Sequence, residues 1–388
     1  MHVSGEAADA IGWLRHLHAY PELSFREHET ARFVRETLAS FDGVEIEQPT
    51  ETSVIGRIRG ARPGRTIALR SELDALPIQE TSDAEFASRN NGVMHACGHD
   101  GHAAMLLAVG RLLSARRAQL AGEVRLIFQH AEEQPPGGAV ELVAAGVLDG
   151  VDAFVACHLL ATTDVGKVAA LDGYCTAGAD TFSVTIQGNG GHAAFPHQTV
   201  DPVVIAAQAI ANLQHVVSRA TPPLENVVLS VTRIAGGVAD NVIPSTVEFG
   251  GTVRIFSEEA RERTQAAMQR ILDGVTAAHG ANCEFNYVRG FDPVRNDPRL
   301  AALVRAAAGP DRVIEMPPIM AGDDFSAYLQ GRPGCLFFVG CGSRDAFPNH
   351  HPGFTIDERA LPVGMEMLMQ IALRYLSDSC DDGSYQPL

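Results

Sequence analysis

The stretch Glu123-Val124-Arg125-Leu126-Ile127-Phe128-Gln129-His130-Ala131-Glu132-Glu133 carries the signal that sets the fold. Its apolar run is too short for a helix of ordinary length and predicts a buried strand. Two adjacent carboxylates close it, and they repel each other unless a cation or a shared proton holds them. In open α/β sheets ligands sit beyond the carboxyl ends of the strands, so the pair stands where a site is expected if the surrounding elements form such a sheet.

Working outward, the flanking elements alternate. Strands are expected at 44–47, 53–59 and 66–73, the last two separated by the turn signal Gly60-Ala61-Arg62-Pro63-Gly64. Residues 103–113 read as an apolar helix, 138–145 as a second helix and 153–158 as another buried strand ending on His158. Two helices come first, at 6–20, stopped by Pro21, and at 27–41. This order predicts an α/β fold with a mostly parallel sheet flanked by helices on both faces.

Near residue 180 the rhythm changes. A strand at 182–187, a helix from Asp201-Pro202 to 217, strands at 226–234 and 246–256, a helix at 258–278 and a strand at 283–288 give the order βαββαβ. That is the ferredoxin-like split unit, and its span is normal for a small domain. It is expected as an insertion, residues 180–289, in a catalytic domain made of 1–179 and 290–388. After it come a helix at 298–307, a strand at 335–339, a helix at 361–376 and a loose tail at 377–388.

Bulk properties narrow the classes. A chain of 388 residues exceeds what one core usually organises, and 46% hydrophobic content supports two. A formal charge of −17 argues against nucleic acid or an anionic membrane as partner. No apolar run is long enough to span a bilayer, and Met1-His2-Val3-Ser4-Gly5-Glu6 lacks an export pattern, so a soluble cytoplasmic protein is expected. Seven scattered cysteines then read as reduced thiols.

The densest group of metal-binding atoms is His95-Ala96-Cys97-Gly98-His99-Asp100-Gly101-His102. Cys97 and His99, two positions apart around a flexible glycine, can reach one ion. In Glu132-Glu133 one carboxylate can bind metal while the other handles a proton. His158, taken alone, reads more often as a structural histidine than as a ligand. Of the adjacent His350 and His351, at most one is expected to bind, because neighbours in a loop cannot easily share an ion. Asp74 either caps a turn or fixes the tautomer of a ligand histidine. No Gly-x-Ser-x-Gly elbow, phosphate-binding loop or His-Glu-x-x-His is present. A Cys97 nucleophile paired with His99 or His102 is the competing chemistry, and it leaves Glu132, Glu133, His158 and His351 without a role.

Along nearly its whole length the chain resembles the dinuclear metal-dependent amidohydrolases of the aminoacylase and carboxypeptidase family. Its likeness is to the branch of N-acyl-amino-acid amidohydrolases, hippurate hydrolase and indole-acetyl-amino-acid hydrolases. The matching stretches are 18–24, 74–78, 94–102, 131–133, 190–193, Asn241-Val242-Ile243-Pro244, Gly251-Thr252-Val253-Arg254 and His350-His351-Pro352. The resemblance implies a zinc-exopeptidase-like catalytic domain in which Cys97, His99, Glu133, His158 and His351 hold two divalent ions (Zn, Mn, Co or Ni). It implies Glu132 as general base and acid, with Asp74 supporting the metal site, in hydrolysis of the amide of an N-acyl L-amino acid with an aliphatic, acetyl or aromatic acyl group. The inserted domain would be a lid that also forms a homodimer or tetramer. From it His192 would stabilise the oxyanion, in the partner subunit's site, while Asn241 and Arg254 hold the small-molecule substrate. Alternatives on the same centre are a dipeptidase or an N-acetyl-diaminopimelate deacetylase, and, outside enzymes, a non-catalytic metal-binding protein. The chain departs from the family pattern at Glu72, at His130, at Leu159-Leu160-Ala161 and at Asp323.

Overall fold

A computed structural model describes residues 4–377. The expected tail lies outside the described residues except for Ser377, which closes the last helix, and Cys380 lies outside them too. The described chain forms two compact units, each with its own apolar core.

The first unit is built on a seven-stranded sheet. Its order is Val44–Glu47, Val54–Arg59, Ala121–Gln129, Arg62–Glu72, Ala153–Asp164, Gly334–Gly342, Val168–Ala169. The four central strands run parallel, and antiparallel strands finish both edges. Central strands covered on both faces need apolar residues at successive positions rather than alternate ones. Leu126, Ile127 and Phe128 obey that rule, as do Phe154, Val155 and Ala156, all without exposure.

Helix His99–Ser114 is buried around almost its whole circumference, which fits its sequence, apolar on every face. It starts at His99, earlier than the apolar pattern predicts, directly after Gly98 at φ 91. That left-handed conformation costs glycine little, and it lets the chain turn sharply from Cys97 into the helix. His99, Asp100 and His102 therefore stand on the first helical turn. A second difference lies at His158. Its strand continues to Asp164 because Gly334–Gly342 pairs alongside it past this point, so His158 sits inside the strand rather than at its end.

The second unit comprises Thr176–Pro293 and Pro318–Asp323. Its antiparallel sheet has the order Val228–Ala235, Thr246–Ile255, Gly178–Gln187, Asn282–Phe291, and helices Pro202–His215 and Glu258–Ala278 complete a βαββαβ chain order. Asp201 caps the first helix by accepting from Val203 N–H at 2.9 Å, and Ser257 caps the second. One sheet face and the helices enclose Phe182, Val184, Ile186, Leu213, Phe249, Met268 and Leu272. The unit is wider than the expected 180–289 for two reasons. Its first strand in sequence begins at Gly178 and its last runs to Phe291, and Ala177 N–H donates to Ile319 and Ala321 carbonyls, adding the 318–323 segment.

Phe249 is fully buried in this second core. Phe249→Ala should lower unfolding free energy by about 3–5 kcal/mol, the usual cost of emptying an aromatic site. Urea unfolding followed by circular dichroism checks this.

Candidate metal centre

Three segments meet at the carboxyl end of the parallel strands. Strand Ala121–Gln129 passes through His130 and Ala131 into Glu132 and Glu133, with Ala131 at φ 49, a left-handed backbone unusual for a residue with a side chain. Strand Arg62–Glu72 delivers Asp74, which is buried. Asp74 Oδ2 accepts from Glu133 N–H at 2.9 Å and from Ser24 Oγ at 2.7 Å. Its backbone carbonyl lies 2.9 Å from His99 Nδ1, with Oδ1 at 3.2 Å. A carbonyl can only accept, so Nδ1 carries the proton and Nε2 is turned toward Glu132 and Glu133.

Cys97, His99 and His158 present ligand atoms within 4.8 Å of one another, and so do Cys97, Glu133 and His350, and His99, Glu132 and Glu133. Cys97 belongs to the first two sets, an arrangement suited to two neighbouring ions. His158 Nε2 is 3.5 Å from Cys97 Sγ, while its Nδ1 donates to the Leu159 carbonyl at 2.9 Å. His350 Nε2 is 3.3 Å from Cys97 Sγ and 3.2 Å from Glu133 Oε1.

The structure sets His351, the expected ligand, in a different environment. That ring stacks on Phe347 at 4.2 Å, and its Nδ1 accepts from Gly353 N–H, so it is turned away from Cys97. His350 takes the place because its backbone is left-handed, φ 69, and its N–H donates to the Ala96 carbonyl at 2.7 Å. Asn349 fixes the loop by donating to the carbonyls of Cys97 and Leu159, both at 3.1 Å. The sequence holds no signal that separates two adjacent histidines in a turn; the handedness of one residue does so.

The donor atoms suit a cation. His99 Nε2 is buried without a hydrogen-bond partner and faces Glu133 Oε1 at 4.0 Å, an expensive arrangement unless a positive group lies between them. Burial pushes the His99 imidazole down, but the hydrogen bond to Asp74 and the Glu72, Asp74 and Glu133 carboxylates outweigh it and raise it to about 10. Burial, with Glu133, Glu132 and Glu72 nearby, holds the Cys97 thiol well above its ordinary value. His158 goes the other way: burial, then His102, keep it neutral with Nε2 free to bind.

Behind these atoms lies a polar frame. Glu72 accepts from His102 Nδ1 at 2.7 Å and pairs with buried Arg70, which also reaches Asp324 at 2.5 Å and Gln129 at 2.9 Å. His102 Nε2 in turn accepts from Leu159 N–H at 2.8 Å, beside His158. His102 is thus fully engaged in support. His18 bridges Asp100 and Glu80 at 2.7 and 3.2 Å. His130 turns to Glu141, 3.0 Å away. The sequence did not single out Arg70, Asn349 or Ser24, since lone polar residues on strands and loops carry no pattern.

Within the second unit, His192 and Asn241 are neighbours: Gly191–His192 pairs with Val242–Ile243, and Ala193 N–H donates to the Asn241 carbonyl. Arg254 lies on strand Thr246–Ile255 with its guanidinium against Thr252 and the Val253 carbonyl.

With this geometry in place, comparison with known proteins is informative. Residues 68–374 match the model of peptidase family M20/M25/M40, and the chain belongs to that family. Among curated proteins it is 51% identical over 311 residues to an N-acyl-L-amino acid amidohydrolase of Geobacillus stearothermophilus, covering 78% of this chain and 84% of that one. It is 41% identical to an N-acetylcysteine deacetylase of Bacillus subtilis, with coverage of 94% and 96%. Among solved structures, a dinuclear metal-binding M20 peptidase of Bacillus subtilis superposes with a TM-score of 0.84 at 36% identity, covering 96% of this chain and 99% of that one. No helix among the described residues is long and apolar enough to cross a membrane.

Two outcomes follow for metal binding. His350→Ala should reduce bound metal measured by elemental analysis, whereas His351→Ala should leave it near the parent value. Binding must also displace the protons that Cys97 and His99 hold to high pH. Apparent affinity should therefore climb with pH between about 6 and about 8, by about tenfold per unit for each proton released. Chelator competition across that range gives the slope, and a flat profile contradicts the proton balance.

Proposed function

We propose that the chain is a dinuclear-metal amidohydrolase that cleaves the amide of N-acyl L-amino acids, releasing a carboxylate and the free amino acid. The carrying observation is Glu132, whose Oε2 lies 3.9 Å from His99 Nε2 at the edge of the convergent Cys97, His99, Glu133, His158 and His350 donors. The amidohydrolase and deacetylase relatives support the same reaction class.

Cys97, His99, Glu133, His158 and His350 would hold two divalent ions, with Zn, Mn, Co and Ni as the candidates. The ions would supply Lewis acidity and favour deprotonation of water near neutral pH. Glu132, 7% exposed and so still reachable, takes the proton from water and returns it to the leaving amine. Asp74 keeps His99 in one tautomer and fixes the backbone of Glu133. We assign oxyanion stabilisation to His192 and substrate holding to Asn241 and Arg254, supported by the adjacency of His192 and Asn241.

A homodimer formed through the second unit is part of this proposal, supported by edge strand Val228–Ala235 and its exposed Ile234. A cytoplasmic setting is supported by six described cysteines that remain free thiols.

Glu132→Gln should lower kcat by about 10²–10⁴-fold, the range for a general acid–base group, while metal content stays at the parent level. Retained turnover would move the base elsewhere. A panel of N-acetyl, N-aliphatic-acyl and N-benzoyl amino acids, dipeptides and N-acetyl-diaminopimelate, assayed with each candidate metal, tests the substrate class. Preference for dipeptides or for diaminopimelate would replace the proposal with the corresponding alternative.

A further inference from the structure

We propose that Glu27 is a positioning residue for this reaction: its carboxyl locks the turn that presents Glu132 and Glu133. The inference rests on the roles given to those two residues above. Glu27 stands immediately before helix His28–Ala39 and has no solvent exposure. In sequence it resembles an ordinary helix-start acid, yet its side chain makes no cap to that helix. Oε1 instead accepts from the N–H of Ala131, 104 residues away, at 2.7 Å, and from Phe25 N–H at 3.0 Å.

Both partners have left-handed backbones, φ 49 at Ala131 and φ 64 at Phe25. Neither residue type favours that region, so the surroundings must hold them there. A single oxygen serves both, and Ala131 leads straight into Glu132. The neighbouring residues reinforce the lock. The Phe25 ring meets the His130 ring edge-on at 5.6 Å, and Ser24 Oγ donates to the same Asp74 oxygen that accepts from Glu133 N–H. Residues 24–27 thus brace the turn on both sides, through Ala131 before the carboxylate pair and through Asp74 behind it.

Burial, with Asp74 close by, raises the Glu27 carboxyl to about 7. A neutral amide is consequently a close substitute: glutamine keeps an acceptor oxygen at the same reach. Alanine removes it, and aspartate withdraws it by one methylene.

The test uses the full-length, metal-loaded protein, with Mn2+ affinity from calorimetric titration and kcat and KM at saturating Mn2+. Glu27→Ala should lower kcat about 10–100-fold and weaken Mn2+ binding by a similar factor, the usual effect of losing a group that orients a ligand. KM should change by less than about threefold, because the substrate contacts are untouched. Glu27→Gln should stay within about threefold of the parent in every measure, since the acceptor is kept. Adding Ala131→Gly to Glu27→Ala should recover at least about fivefold in kcat, because glycine adopts positive φ without strain. A purely structural role would not produce that recovery. Should Glu27→Ala fail to fold, Glu27→Asp is compared with Glu27→Gln, and loss in the first alone supports the lock. Unchanged kcat and Mn2+ affinity in Glu27→Ala would overturn it, as would equal damage from Gln and its shorter replacements. The Mn2+ affinities do not depend on the substrate or on Glu132, so the inference and the proposed reaction fail separately.

Discussion

Asp74 ties together three pieces of chain that are distant in sequence. One carboxylate oxygen holds the Glu133 amide and the Ser24 hydroxyl, while the other oxygen and the backbone carbonyl face His99 Nδ1. The carboxyl is fully buried, and its hydrogen bond to His99 is the leading force against the upward push of desolvation, so it is held below its usual range. A buried carboxylate with every oxygen engaged is stable only in one geometry, and that geometry aims His99 and Glu133 at the same point. The parallel sheet supplies the scaffold for this, because adjacent parallel strands all end on one side.

The charge pattern around the centre is uneven in a useful way. Glu72, Asp74, Glu132 and Glu133 gather on one side with His99 and Cys97, where positive charge is favoured. His158, held down by burial and then by His102 beside it, stays neutral. The pocket therefore combines anionic and neutral donors, the mixture that divalent transition metals accept. Glu72 meets the Arg70 guanidinium and accepts from His102 Nδ1, so the departure from the family pattern at this position is absorbed into a satisfied buried network.

The second unit has a core of its own and reaches its shape by different rules. Its sheet is antiparallel with one covered face, so burial alternates along Gly178–Gln187, whereas Gly334–Gly342 in the first unit is buried almost continuously. That contrast in periodicity marks the insertion in the sequence. The edges of the unit were less visible, because the residues joining it, Ala177 and the 318–323 segment, pair through backbone atoms that any side chain permits.

The amino-acid sequence by itself determined the α/β architecture and the βαββαβ order of the second unit, and it made Cys97, His99, Glu133 and His158 candidates, which the fold brings close to one another. Hydrophobic periodicity and local residue chemistry are properties of short stretches, and short stretches carried them. Tertiary structure alone decided what depended on backbone handedness and long-range hydrogen bonds. It set His350 rather than His351 beside Cys97 with a positive φ, placed His158 within a longer strand through its pairing with a segment more than 170 residues away, and brought Glu27 to Ala131. A left-handed residue or a buried acceptor leaves no periodic trace in a sequence, because what stabilises it is contributed by another part of the chain.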